Sequence, residues 1–236
     1  VLLGEHYRCP PDIMAYSNRY VYNDELKIMQ WRMAGDNPAV VVDHAEKETE
    51  PGNKKPSGSF RGVDTDMVDR FLNFVARSIK DLEKKIGKPI DAERNVALCY
   101  FLLKNEPYVK HVKSRFLSQL RGGGAVLDGA GAALQGKERD YIFYLWDVTR
   151  HNLKFFAMGD DITKRKGELN VLMTRARRGA FHYLHRDFDK LAHGRASITE
   201  YLWQTYQQSA ATDSKTEPML AAADGGAGEI TGKLLR

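Results

Sequence analysis

LNVLMTRARRG, residues 169–179, runs straight into AFHYL, residues 180–184. Leu169, Leu172, Met173 and Ala176 recur at i, i+3, i+4 and i+7, so they share one face of a helix, and that face reads as core. Arg175 sits beside this stripe, while Arg178 points away from it toward solvent or a polyanion. The run from Ala180 to Leu184 has the composition of a buried strand. A helix feeding a strand through a short connection is the repeating unit of an α/β domain.

Upstream the same alternation recurs. Pro10-Pro11-Asp12 opens a helix through Ile13, Met14, Tyr16 and Tyr20, proline being suited to a first turn. Ala39–Val42 reads as a buried strand. Residues 46–62 are charged and rich in Gly, Pro, Ser and Lys, and read as a loop or insertion. From Val63 to Ile86, Met67, Phe71, Leu72, Val75, Ile79 and Leu82 form an apolar stripe, stopped at Gly87. Asn95–Leu103 reads as a strand, Tyr108 to Leu120 as a helix, and Ala125–Asp128 and Asp140–Trp146 as strands. A last helix is expected near Ile198–Tyr206. The expected architecture is a largely parallel sheet flanked by helices over residues 1–208, and residues 209–236, which lose periodicity, read as a disordered tail.

Composition narrows the function classes. No apolar run reaches the ~18–20 residues that span a bilayer, and no membrane partner is expected. Cys9 and Cys99 are far apart and the seven histidines show no metal-site spacing, so no metal site is read from them. Buried free thiols are the expectation, and with them a cytoplasmic location. A formal charge of +5 suits a polyanionic partner. The basic residues gather at Lys164-Arg165-Lys166 and at Arg175, Arg177 and Arg178. Asp160 and Asp161, in the stretch 147–167, read as a solvated turn. The chain begins without Met, and a piece of a longer protein is expected.

Three segments carry more specific information. The first is Tyr7-Arg8-Cys9-Pro10-Pro11-Asp12-Ile13, with Ser17-Asn18 and Tyr22-Asn23-Asp24-Glu25-Leu26 behind it. The second is Gln135-Gly136-Lys137-Glu138-Arg139-Asp140, entering the apolar run Tyr141-Ile142-Phe143. The third is the 169–179 stretch itself. Their content and order resemble the second RecA-like domain of superfamily 1 helicases, in the branch that includes RNA-surveillance and DNA-replication helicases. The resemblance covers about Leu2 to Asp187.

That resemblance implies a RecA-like α/β fold of the P-loop NTPase type. It implies that Tyr7 stacks on adenine and that Arg8 reaches the γ-phosphate. Gln135 and Gly136 would belong to the turn linking nucleotide site to nucleic-acid track, and Glu138 would bond the ribose. Arg175 would be the arginine finger. ATP and single-stranded or duplex nucleic acid are the implied ligands. The chain has no G-x-x-x-x-G-K-[ST], so Mg²⁺ would be held mainly by a first RecA-like domain of the same chain. Alone, these residues would then be inactive in hydrolysis. The stretch Gly129-Ala130-Gly131-Ala132-Ala133-Leu134 departs from the family, which usually has Thr and an acidic residue or His before Gln135. That departure supports an alternative, a nucleic-acid-binding module with a degenerate, non-motor helicase fold.

Overall fold

The computed structural model describes residues 4–31, 39–45, 59–60, 63–100, 127–129, 136–146, 165–191 and 197–224. Strand β1 (Glu5–His6) leads to helix α1 (Pro11–Val21) and strand β2 (Lys27–Ile28), and β1 and β2 pair in parallel. Next come β3 (Val40–His44), a small antiparallel pair β4 (Ser59–Phe60) and β5 (Val63–Asp64), and the long helix α2 (Thr65–Ile86). Helix α3 (Ala92–Asn95) precedes β6 (Val96–Tyr100), followed by β7 (Leu127–Gly129) and β8 (Arg139–Trp146). Helix α4 (Arg165–Met173), strand β9 (Ala176–Leu184), helix α5 (Phe188–Leu191) and helix α6 (Ser197–Asp224) complete the described chain.

The main sheet has the order β3-β9-β8-β6-β7, and every pairing in it is parallel. The α/β class and parallel sheet expected from the sequence are therefore present. Strict alternation divides the core, because successive side chains of a strand face opposite sides. Ala97, Cys99, Ile142, Tyr144, Trp146, Ala180 and Leu184 face α1, α4 and α6. Val96, Leu98, Tyr141, Phe143, Leu145, Phe181 and Tyr183 face the α2 stripe of Met67, Phe71, Phe74, Val75 and Ile79. A strand covered on both faces needs no polar side, which explains the continuous apolar run of β8.

His182 is a fully buried imidazole inside this stack of strands. Its ring lies 4.6 Å from that of Tyr144 at 9°, and its Nδ1 accepts from Trp146 Nε1 at 3.0 Å. Burial pushes its pKa down to about 3, so it is a neutral core residue joining β8 to β9.

Several sequence expectations need correction. Helix α4 stops at Met173, and Ala176 begins β9, so Arg175, Arg177 and Arg178 do not lie on a helix. Thr174 Oγ1 bonds back to the Asn170 carbonyl at 2.7 Å, and from Ala176 onward the ladder with β8 replaces helical bonding. The i, i+3, i+4 spacing could not see that sheet partner. Strand β3 is an edge strand in which only Val42 is buried. The end of the 46–62 loop forms β4. Helix α6 continues to Asp224, past Ser209 where a disordered tail was expected. Alanines at 210–211 and 221–223 favour helix without an apolar stripe, so periodicity misses them. The expected 108–120 helix, most of the 147–167 stretch, Ala130–Gln135 and residues 225–236 lie outside the described residues. No helix among the described residues is long and apolar enough to cross a membrane.

Candidate functional site

The segment carrying Tyr7 and Arg8 is fixed from both ends. Behind it, Pro10 caps α1 and Pro11 takes the first helical position, where the missing N–H costs nothing. Asn18 clamps Leu26, accepting from its N–H at 3.1 Å and donating to its carbonyl at 3.4 Å. The intervening turn puts Asn23 and Asp24 at φ 51° and 61°, a left-handed conformation that these two residue types tolerate best after glycine. In front, His6 folds over Cys9: its Nε2 lies 3.0 Å from Cys9 Sγ and accepts from the Cys9 N–H at 3.3 Å. Burial, with the Arg8 charge adding to it, lowers the His6 pKa, which keeps the accepting nitrogen unprotonated.

The three segments singled out in the sequence meet at the amino ends of β8 and β9. Arg8 Nε lies 2.7 Å from Glu138 Oε1, joining the first to the second. Cys9 Sγ lies 4.0 Å from the Thr174 carbonyl, and Asn170 Nδ2 donates to the Tyr22 hydroxyl at 2.9 Å, joining the first to the third. The Arg139 N–H donates to the Arg175 carbonyl at 3.4 Å, joining the second to the third. Gly136 sits at φ 75° in the turn before β8, a conformation suited to glycine. Its neighbour Gln135 lies outside the described residues.

A cleft of about 490 Å³ opens at this junction, lined by Glu5, His6, Tyr7, Arg8, Glu138 and Arg177. Tyr7 is 61 % exposed and its hydroxyl donates to Glu5, so an aromatic face stands at the mouth. Arg8 and Glu138 keep about a third of their side-chain surface in solvent (39 % and 33 %). A pair so exposed is worth on the order of 1 kcal/mol or less, and either partner can be given up to a ligand.

Arg175 does not line this cleft. Its side chain is half-buried and its Nε is buried without a hydrogen-bond partner. Burial pushes the pKa of the Tyr144 phenol well up, with the Arg175 charge acting against it. A buried guanidinium nitrogen without a partner is costly, and the Nε atoms of Arg139 and Arg186 share that condition. Arg177 and Arg178 instead pair with Asp140, at 2.8 Å and 3.8 Å. Sequence reasoning gave no individual role to Asp140, His6 or Arg177, although Asp140 and Arg177 lie within the quoted segments. Asp140 and Arg177 are neighbours only through strand pairing, so no spacing along the chain signals them.

Cys9 and Cys99 are free and buried, as expected, and burial pushes the Cys9 thiol up to about 12. Among the described residues, no group of three His, Cys, Asp or Glu side chains could hold a metal ion.

No family of known proteins matches the chain, and neither does any curated protein. Among solved structures it is similar to the C-terminal domain of a possible DNA helicase from Lactobacillus plantarum WCFS1, at 13 % identity and a TM-score of 0.37, covering 76 % of this chain and 86 % of that one. A likeness that weak carries no argument about activity.

Proposed function

We propose that this chain is the second RecA-like wall of an ATP-driven translocase on DNA or RNA, a wall that closes on nucleotide held by a P-loop domain. The observation that carries the reading is the convergence of the three helicase-like segments at the amino ends of β8 and β9. The Arg8–Glu138 pair at 2.7 Å is its centre. The location supports it too. An α/β domain that binds its own nucleotide does so beyond the carboxyl ends of its strands, whereas this cleft opens at the amino ends of β8 and β9. A cleft there suits a domain that covers nucleotide presented by another.

In this reading Tyr7 offers its exposed ring to the base and Glu138 accepts from a ribose hydroxyl. That exchange frees Arg8 for the γ-phosphate. Arg175, with a buried donor to satisfy, is the arginine finger that stabilises the transferring phosphoryl group. ATP supplies the phosphoryl group, which passes to water. Magnesium belongs to the P-loop partner in this scheme. Opening and closing of the two walls moves the protein along a strand. Its grip would rest on phosphate contacts and weaken steeply with salt.

The test is ATP turnover by the full-length protein that carries this chain, in the presence of single-stranded nucleic acid. Arg175→Ala is expected to lower turnover by about 10³-fold while nucleotide binding changes much less. Unchanged turnover removes the finger role. Nucleic-acid binding that ignores nucleotide, with no hydrolysis in the wild type, would favour the non-motor module that the 129–134 stretch supports.

A further inference from the structure

The ladder between β8 and β9 is broken at one place. Arg139 pairs with Ala176 and Tyr141 with Gly179, so a single residue of β8, Asp140, faces two of β9, Arg177 and Arg178. This is a β-bulge. In an unbroken strand one of two consecutive side chains would point into the core. Here Ala176 and Gly179 are buried while Arg177 and Arg178 are both exposed. Bulges re-aim side chains in this way, and they concentrate beside functional sites. Gly179 keeps the bulge compact, because a Cβ there would stand 2.8 Å from Phe181 Cε2 and 3.1 Å from Tyr141 Cδ1.

Asp140 is the anchor. Its side chain is only 17 % exposed, it takes Arg177 Nη2 at 2.8 Å, and it accepts from Asn95 Nδ2 at 3.0 Å. Arg177 is therefore tethered at one end of its guanidinium and lines the cleft alongside Arg8. Arg178, at 3.8 Å from the same carboxylate, does not line it. Arg8 is held in a matching way, with Nε on Glu138 and its two Nη groups outside that bond. Two guanidiniums, each tethered by a carboxylate and each bordering the same cleft, make a preorganised site for an anion of more than one charge.

From this geometry we infer that Arg177, aimed by the bulge and held by Asp140, is a second phosphate-contacting residue of the cleft. With Arg8 it forms a clamp for the polyphosphate chain of a nucleotide. The inference rests on the nucleotide-wall reading and adds to it a residue to which the sequence reading gave no individual role. It also separates two duties within one short segment. Arg177 grips phosphate from the open cleft, which Arg175 does not line.

The experiment titrates the full-length protein that carries this chain with ATP and, in parallel, with inorganic tripolyphosphate. Binding is followed by NMR through the backbone amides and the arginine Nε–H signals. Saturable shifts are expected at Arg8 and Arg177 and not at Arg178. Arg177→Gln should weaken both ligands about tenfold, the loss of one charge-assisted hydrogen bond. Arg178→Gln, which removes the same charge one residue away, should stay within about twofold of wild type. Asp140→Asn should weaken binding although it makes the protein more basic, because the tether is lost. Binding that responds to Arg8→Gln but not to Arg177→Gln overturns the clamp and leaves the nucleotide-wall reading standing. Equal losses in the Arg177 and Arg178 variants also overturn it, since net charge would then be the cause. Absence of any ATP or tripolyphosphate shift in the wild type overturns both readings.

Discussion

His182→Gln tests how β8 and β9, the strands whose amino ends carry the cleft, are held together. His182 is fully buried, stacked on Tyr144, and accepts from Trp146 Nε1. Its pKa falls from the ordinary 6.5 to about 3 because burial penalises the imidazolium. Between those values the unfolded chain binds a proton that the folded chain refuses, so stability must fall as pH drops through 6.5 toward 3. Above 6.5 both states are neutral and the group has no effect. At pH 5 the unfolded histidine lies about 1.5 units below its pKa, and at about 1.36 kcal/mol per unit the loss is about 2 kcal/mol. For a chain of this size that lowers Tm by about 4–8 °C. Glutamine offers Trp146 an acceptor and does not titrate. Its stability profile should therefore run flatter than wild type by that amount between about pH 7 and pH 5. His6 and His44, also lowered by burial, are present in both proteins and cancel in the difference. Urea unfolding at a series of pH values measures it. Parallel wild-type and variant profiles would refute the argument, because His182 would then be protonated in the folded state.

Other expectations concern the site and the core around it. Gly179→Ala introduces a Cβ 2.8 Å from Phe181 Cε2. Displacing that packed ring should cost about 1–3 kcal/mol, read as a lower midpoint in urea. Both cysteines are buried, and the Cys9 thiol is pushed up to about 12. A thiol reagent should therefore find no fast-reacting site in the native chain and two after denaturation, and prompt native labelling of Cys9 would contradict its packing under Thr174. Glu138→Gln, breaking a pair on the order of 1 kcal/mol, should leave Tm almost unchanged while altering nucleotide binding. A large fall in Tm would make that pair structural.

The sequence by itself determined the class of fold and most of its elements. The continuous apolar run Tyr141–Trp146, the 3–4 spacing in Met67–Leu82, the stop at Gly87 and the helix start at Pro10–Pro11 are local signals, set by side-chain geometry over a few residues. It also marked Tyr7, Arg8, Glu138 and Arg175, because their segments resemble helicase segments in content and order. Tertiary structure decided everything that depends on a partner strand. The helix reading through Ala176 gave way because β8 supplies a ladder there, and ladder pairing outweighs a weak helical periodicity. Likewise, Arg177 reaches the cleft only because one residue of β8 faces two of β9. The register of two strands joined by a long connection, from Trp146 to Ala176, is a non-local quantity, and no spacing within either strand encodes it.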